Sequence, residues 1–213
     1  MQALERIEFS NNWVTLVFIL CLLLLFVLKI LNPQKLFEYS RAFFLKGFIE
    51  KKAEERTTFF SAFNIALYLF LVLNYALFFT HLVSFLSVDI TINFQLYLKV
   101  TGIVFGYYSA FKFIDFLLCN LLEVKSQLAN IIAAKLGYSY NIALFLFPFL
   151  LLTTYSFLNI YGLLSVFVVL FTLSFVLTFI NNKNLIISKL FYFILYLCAL
   201  EITPLLIIYK ITV

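Results

Sequence analysis

Glu201 and Pro204 stand three residues apart in an otherwise apolar stretch, Ser188 to Lys210, reading SKLFYFILYLCALEITPLLIIYK. About 20 apolar residues at ~1.5 Å rise cross ~30 Å of hydrocarbon, so the stretch reads as a membrane span. A charged, unpaired carboxylate at that depth costs roughly 2.5 kcal/mol or more. Pro204 has no amide hydrogen and leaves the carbonyl of Leu200 without its helical partner. One helical turn therefore joins an ionisable acid to a freed carbonyl. That chemistry suits a proton- or cation-handling site, or a contact to a basic residue of a partner helix. The plainer reading is a protonated or lysine-paired acid that fixes helix packing.

Other polar groups fall inside apolar runs. Glu201 lies 12 residues beyond Lys189, about 18 Å into the crossing, which puts it in the outer half. His81, late in a second apolar run, and Lys99, early in a third, fall at a comparable outer level and are its candidate partners. For both, snorkelling to a nearby interface is the plainer role. Lys112 and Asp115 are three apart on one helix face at the inner end and read as a structural ion pair. Gly102, Gly106 and Ala110 recur every fourth residue. They form a smooth stripe for helix packing or for a partner interface.

Enzyme signatures are missing. One histidine excludes multi-histidine metal sites, and neither a GxSxG elbow nor a phosphate loop occurs. Three cysteines, Cys21, Cys119 and Cys198, lie in or beside separate apolar runs without CxxC spacing and read as small buried hydrophobes. No catalytic residue, metal or cofactor is implied. The net charge of +5 flanks apolar runs instead of forming a basic patch with interleaved aromatics, so no nucleic-acid partner is expected.

These residues need a membrane to position them. The chain of 213 residues is 65% hydrophobic and 12% charged, with mean hydropathy +1.09. Soluble domains average about 45–50% apolar and ~25% charged. The expected fold is an all-α integral membrane protein, one polytopic domain over 1–213. About six transmembrane helices are expected, roughly 13–31, 59–86, 96–122, 141–158, 163–180 and 188–209. The first is long, is followed by Asn32-Pro33, and lacks a small-residue cleavage site, so it reads as a retained span. Residues 136–182 carry no charge, room for two spans, with Asn159 to Gly162 the turn between them.

Between the first two spans, 32–57 mixes six cations with four acids, and Phe37, Phe44 and Phe48 recur at helical spacing. It reads as a cytoplasmic amphipathic surface helix and a docking platform. Glu123 to Tyr140 reads as a second short surface helix. With the loop after span one in the cytoplasm, all cations but Arg6, Lys99 and Lys210 fall on the inner side. The positive-inside rule then places both termini outside.

The run Tyr196-Leu197-Cys198-Ala199-Leu200-Glu201-Ile202, then Pro204-Leu205-Leu206, resembles the C-terminal signature of an uncharacterised family of multi-span inner-membrane proteins of Bacteroidota. The resemblance implies an inner-membrane location in a Gram-negative envelope, where termini on the outside are periplasmic, and brings no catalytic residues. By association it points toward that phylum's secretion or gliding machinery. The leading expectation is a non-enzymatic subunit or scaffold of a larger envelope complex, with membrane lipids and other membrane or envelope proteins as partners. The alternatives are a small ion-coupled transporter using Glu201, and a lipid-modifying enzyme using His81 with Glu201.

Overall fold

A computed structural model describes residues 12–45, 61–86, 92–121, 125–156 and 159–181, with side chains at 114–134, 179 and 181 left out. The described residues form six helices and no strand. They are α1 (Asn12–Leu31), α2 (Pro33–Ser40), α3 (Ala62–Leu86), α4 (Phe94–Leu121), α5 (Lys125–Tyr155) and α6 (Ile160–Asn181).

Local chemistry sets the first boundary. Pro33 restricts Asn32 to extended backbone (φ −161°, ψ 92°), which ends α1. The Asn32 side-chain oxygen then accepts the Lys35 amide at 3.0 Å and caps α2, with Pro33 in the first turn where its missing N–H costs nothing. At the other end of α2 the Arg41 guanidinium lies 4.1 Å from the Phe37 ring centroid.

The bundle is built around α3. In its apolar window 61% of positions are buried, against 28% in α1 and 6% in α6. Helix α3 packs on α1, α4, α5 and α6. Phe147 of α5 wedges between Phe18 of α1 and Phe70 of α3, with ring centroids 6.0 and 5.6 Å away. Phe78 of α3 stacks on Phe167 of α6 at 4.3 Å. The contacts sort into two ends. At one, Trp13 meets Phe94 and Tyr97, Thr15 hydrogen-bonds Tyr155, and Phe85 meets Tyr161. At the other, Tyr39 meets Phe63 and Tyr140, and Phe43 stacks on Tyr138. The long helices therefore alternate in direction.

Four of them are long and apolar enough to cross a membrane: α1, α3, the Lys135–Tyr155 part of α5, and the Ile160–Thr178 part of α6. The expectation of six is corrected to four among the described residues. Helix α4 is long enough, but Gln95, Lys99, Lys112 and the run Gly106 to Ser109 dilute its described part. The expected crossing at 188–209 lies outside the described residues.

The two polar connections also differ from expectation. Of the surface helix expected over 32–57, only α2 and the turn after it are described. Tyr39 and Ala42 are buried, so α2 is docked against the bundle. Asn141 of α5 holds it there: its amide nitrogen donates to the carbonyls of Tyr39 and of Ser40, the latter at 3.0 Å. These carbonyls end the helix, where that of Tyr39 also accepts the Ala42 amide at 3.3 Å and Asn141 adds a further donor. The expected break near Tyr140 is missing, because α5 runs from Lys125 through Pro148 to Tyr155 as one helix.

Asn141 is fully buried. We predict that Asn141→Ala lowers unfolding stability by about 1–3 kcal/mol, the cost of stripping a donor from buried acceptors. Asn141→Asp fares no better, since a carboxylate only accepts. Thermal unfolding in detergent checks this, and an unchanged midpoint would show that α2 is held by packing alone.

Candidate functional site

The polar side chains of the bundle gather where α3, α4 and α5 meet. Tyr75 of α3 and Ser139 of α5 both hydrogen-bond the Tyr108 hydroxyl of α4. One turn or two further along α3, the Tyr68 hydroxyl donates to the Phe105 carbonyl at 3.1 Å and lies 2.8 Å from the Ser109 hydroxyl. Two cations close this end. Lys112 Nζ sits 4.0 Å from the Tyr68 ring centroid, and Lys135 Nζ sits 4.9 Å from that of Phe111. An ammonium over a ring face keeps its charge stabilised by the ring quadrupole while remaining a donor.

An apolar groove leads away from this cluster. Helices α1 and α4 touch at Trp13 against Phe94 and Tyr97, then diverge over α3. The gap has a volume of about 360 Å³ and is lined by Leu20 and Leu24, by Leu69, Val72 and Leu73, and by Thr101, Gly102 and Phe105. Phe105 also meets the Tyr68 ring at 5.7 Å. Groove, Phe105, Tyr68 and Lys112 are thus contiguous.

The residues singled out from sequence are dispersed. Glu201 and Pro204 lie outside the described residues. His81 is half-buried on α3 and Lys99 is exposed on α4, and no hydrogen bond joins the two. Lys112 rests on the Tyr68 ring of a neighbouring helix, while Asp115 is described only as a position on α4. Gly102, Gly106 and Ala110 are exposed, and a Cβ built on either glycine would meet nothing within 4 Å. The stripe therefore does not serve packing between described helices.

Sequence reasoning passed over Tyr68, Tyr75, Tyr108, Ser109, Lys135 and Ser139. A signal was present: 13 tyrosines in the chain, with Tyr107-Tyr108-Ser109 in the middle of α4. Tyrosine is amphipathic and sits in apolar helices without notice. Only the tertiary fold shows that these hydroxyls converge.

Fold and site together define a protein whose described residues are all helical, with four membrane-capable helices, α3 at their centre, and a hydroxyl-rich cluster where α3, α4 and α5 meet. The chain belongs to the family described as a domain of unknown function (DUF4271), which it matches over residues 14–212. No curated protein and no solved structure matches it.

The Tyr68–Lys112 contact can be dissected. Tyr68→Phe keeps the ring beneath Lys112 but loses the hydroxyl, and is expected to cost about 0.5–1.5 kcal/mol. In a double-mutant cycle with Lys112→Gln, the coupling persists in the Phe background and vanishes in Tyr68→Leu. Equal costs of Lys112→Gln in all three backgrounds would contradict the assignment.

Proposed function

We propose that this protein is an integral membrane protein of the bacterial inner membrane and acts as a non-enzymatic subunit of a larger envelope assembly. The observation that carries the reading is the outward-facing, unfilled small-residue stripe on α4. Gly106 and Ala110 are exposed between Ile103 (47% exposed) and Phe113 (62% exposed), so a flat strip runs between two apolar shoulders. In lipid the hydrophobic effect does not drive helices together, and small residues that allow close backbone approach are a main basis of association. A glycine in a helix costs roughly 0.5–1 kcal/mol relative to alanine. Close approach by a partner helix is a physical reason to keep one at Gly106, where the protein's own described atoms need no space.

The membrane placement is supported by the four apolar helices and by the distribution of charge. Lys29, Lys35, Arg41, Lys112 and Lys135 fall toward the Tyr39 end of the bundle, and Lys99 toward the Trp13 end. By the positive-inside rule the Tyr39 end faces the cytoplasm. Transport through Glu201, and lipid modification through Glu201 with His81, rest on a residue outside the described structure and are not advanced.

Tagged protein extracted from native membranes in mild detergent is expected to carry a stoichiometric partner by mass spectrometry. Gly106→Phe and Ala110→Phe are expected to lose that partner while keeping helicity and thermal stability. Wild-type protein that purifies as a single species, or bulky variants that keep the partner, would refute the assignment.

A further inference from the structure

We infer that the groove between α1, α3 and α4 holds one acyl chain of an anionic phospholipid, whose phosphate is bound by Lys112 and Ser109. The inference rests on the membrane placement proposed above, but not on the existence of a protein partner.

Three observations meet here. First, the groove has the dimensions of a chain site. Its volume of about 360 Å³ lies at the lower end of the ~300–1,000 Å³ typical of small-molecule pockets. A helix is ~10 Å across and does not fit such a slot. Apart from Thr101 the lining is apolar, and Thr101 turns its hydroxyl back to the Tyr97 carbonyl at 2.7 Å. The slot thus offers methylene contacts and asks for no hydrogen bond.

Second, the groove ends in groups that bind phosphate. On α4, Thr101, Phe105, Ser109 and Lys112 follow one another at spacings of four, four and three residues and share one helix face. On α3, Tyr68 lies beside Leu69, one turn from Val72. The lining therefore passes directly from Phe105 to the Tyr68 and Ser109 hydroxyls, 2.8 Å apart, and to the Lys112 ammonium above the Tyr68 ring. With the Tyr68 hydrogen given to the Phe105 carbonyl, the Ser109 hydroxyl and the Lys112 ammonium are the donors that match a phosphodiester, the cation giving a charge-assisted hydrogen bond.

Third, the depth is right. Tyr68 is six residues from the start of α3, about 9 Å along a helix of 25 residues, or roughly 37 Å. That helix exceeds the ~30 Å hydrocarbon core, so its first turn reaches the headgroup layer. Lys112 Nζ needs only a short snorkel to meet a phosphate there. The cytoplasmic leaflet, which this end faces in the proposed topology, is where anionic lipids attract cations.

Gly102 provides a clean test, because it lines the groove and a Cβ added there meets no described atom within 4 Å. The full-length protein in detergent is titrated with dioleoyl phosphatidylglycerol, with dioleoyl phosphatidylcholine, and with inorganic phosphate. Thermal stability and lipid adducts in native mass spectra are read. Both lipids carry the phosphodiester, but choline's own cation offsets its charge, so the wild type is expected to prefer phosphatidylglycerol over phosphatidylcholine by about fivefold, the scale of one lysine beside a net anionic lipid. Inorganic phosphate alone is expected to give no stabilisation. Lys112→Gln should reduce the preference to under about twofold, while Lys112→Arg and Lys99→Gln keep it. Gly102→Leu should abolish binding of both lipids without lowering stability in their absence.

Equal binding of the two lipids by the wild type would overturn the site while leaving the membrane placement intact. A preference retained in Lys112→Gln would overturn it as well, as would an effect reproduced by phosphate alone. If Gly102→Leu is destabilised without lipid, the slot is filled by protein, from this chain or a second one, and the inference fails. If both lipids fail to bind or stabilise the wild type, the membrane placement is refuted together with the site.

Discussion

Apolar side chains gain little by leaving lipid for protein, so a helix bundle in a membrane must be held by shape and by polar contacts. Helix α3 meets that constraint. Among the described spans it has the most buried window, and its aromatic residues are keyed into neighbours from three sides: Phe70 against α5, Tyr75 against α4 and α6, Phe78 against α6. Edge-to-face and offset ring pairs add about 0.5–1.5 kcal/mol each beyond burial, and they are directional. The wealth of Phe and Tyr in the chain thus has a structural role as interlocking shape around one axis.

In the membrane setting proposed for this bundle, the same low polarity governs the hydroxyls. Thr80, Thr154, Thr172, Thr178 and Ser139 each donate to the carbonyl four residues back in their own helix. Such back-bonding gives each hydroxyl hydrogen an acceptor within its own helix, so none needs one from lipid. Against that background the exceptions stand out. Asn141 reaches from α5 to α2, Tyr68 reaches from α3 to α4, and Tyr108 links α3 to α5 through α4. These three crossings tie the basic end of the bundle together. The Trp13 end is held mainly by ring contacts, with one hydroxyl pair between Thr15 and Tyr155.

Much of this was legible in the chain. The uncharged runs announce α1, α3 and the α5–α6 pair, because charge is costly at membrane depth. The Asn32-Pro33 stop is local stereochemistry, and Asn159 is followed by the start of α6, where its carbonyl accepts the Gly162 amide at 2.9 Å. The continuity of α5 through Tyr140 was not legible, since a polar stretch leading into an apolar one looks the same whether the helix bends or continues. The convergence of Tyr68, Tyr75 and Tyr108 was not legible either, because it depends on which helices are neighbours. Intramembrane charge drew attention to Glu201, His81 and Lys99. Lys112 was legible as an intramembrane charge with Asp115 as its expected partner; its contact with the Tyr68 ring was not legible, because it depends on α3 lying beside α4.

The central claim is that the Tyr39 end and the Trp13 end of the bundle lie on opposite sides of a membrane, with the Tyr39 end in the cytoplasm. Impermeant maleimide labelling of single introduced cysteines, with Cys21, Cys119 and Cys198 replaced by alanine, tests it directly. Tyr161→Cys at the Trp13 end should react from outside intact cells, and Arg41→Cys only after the inner membrane is permeabilised. Reaction of both from the same side would contradict an alternating bundle that spans the membrane.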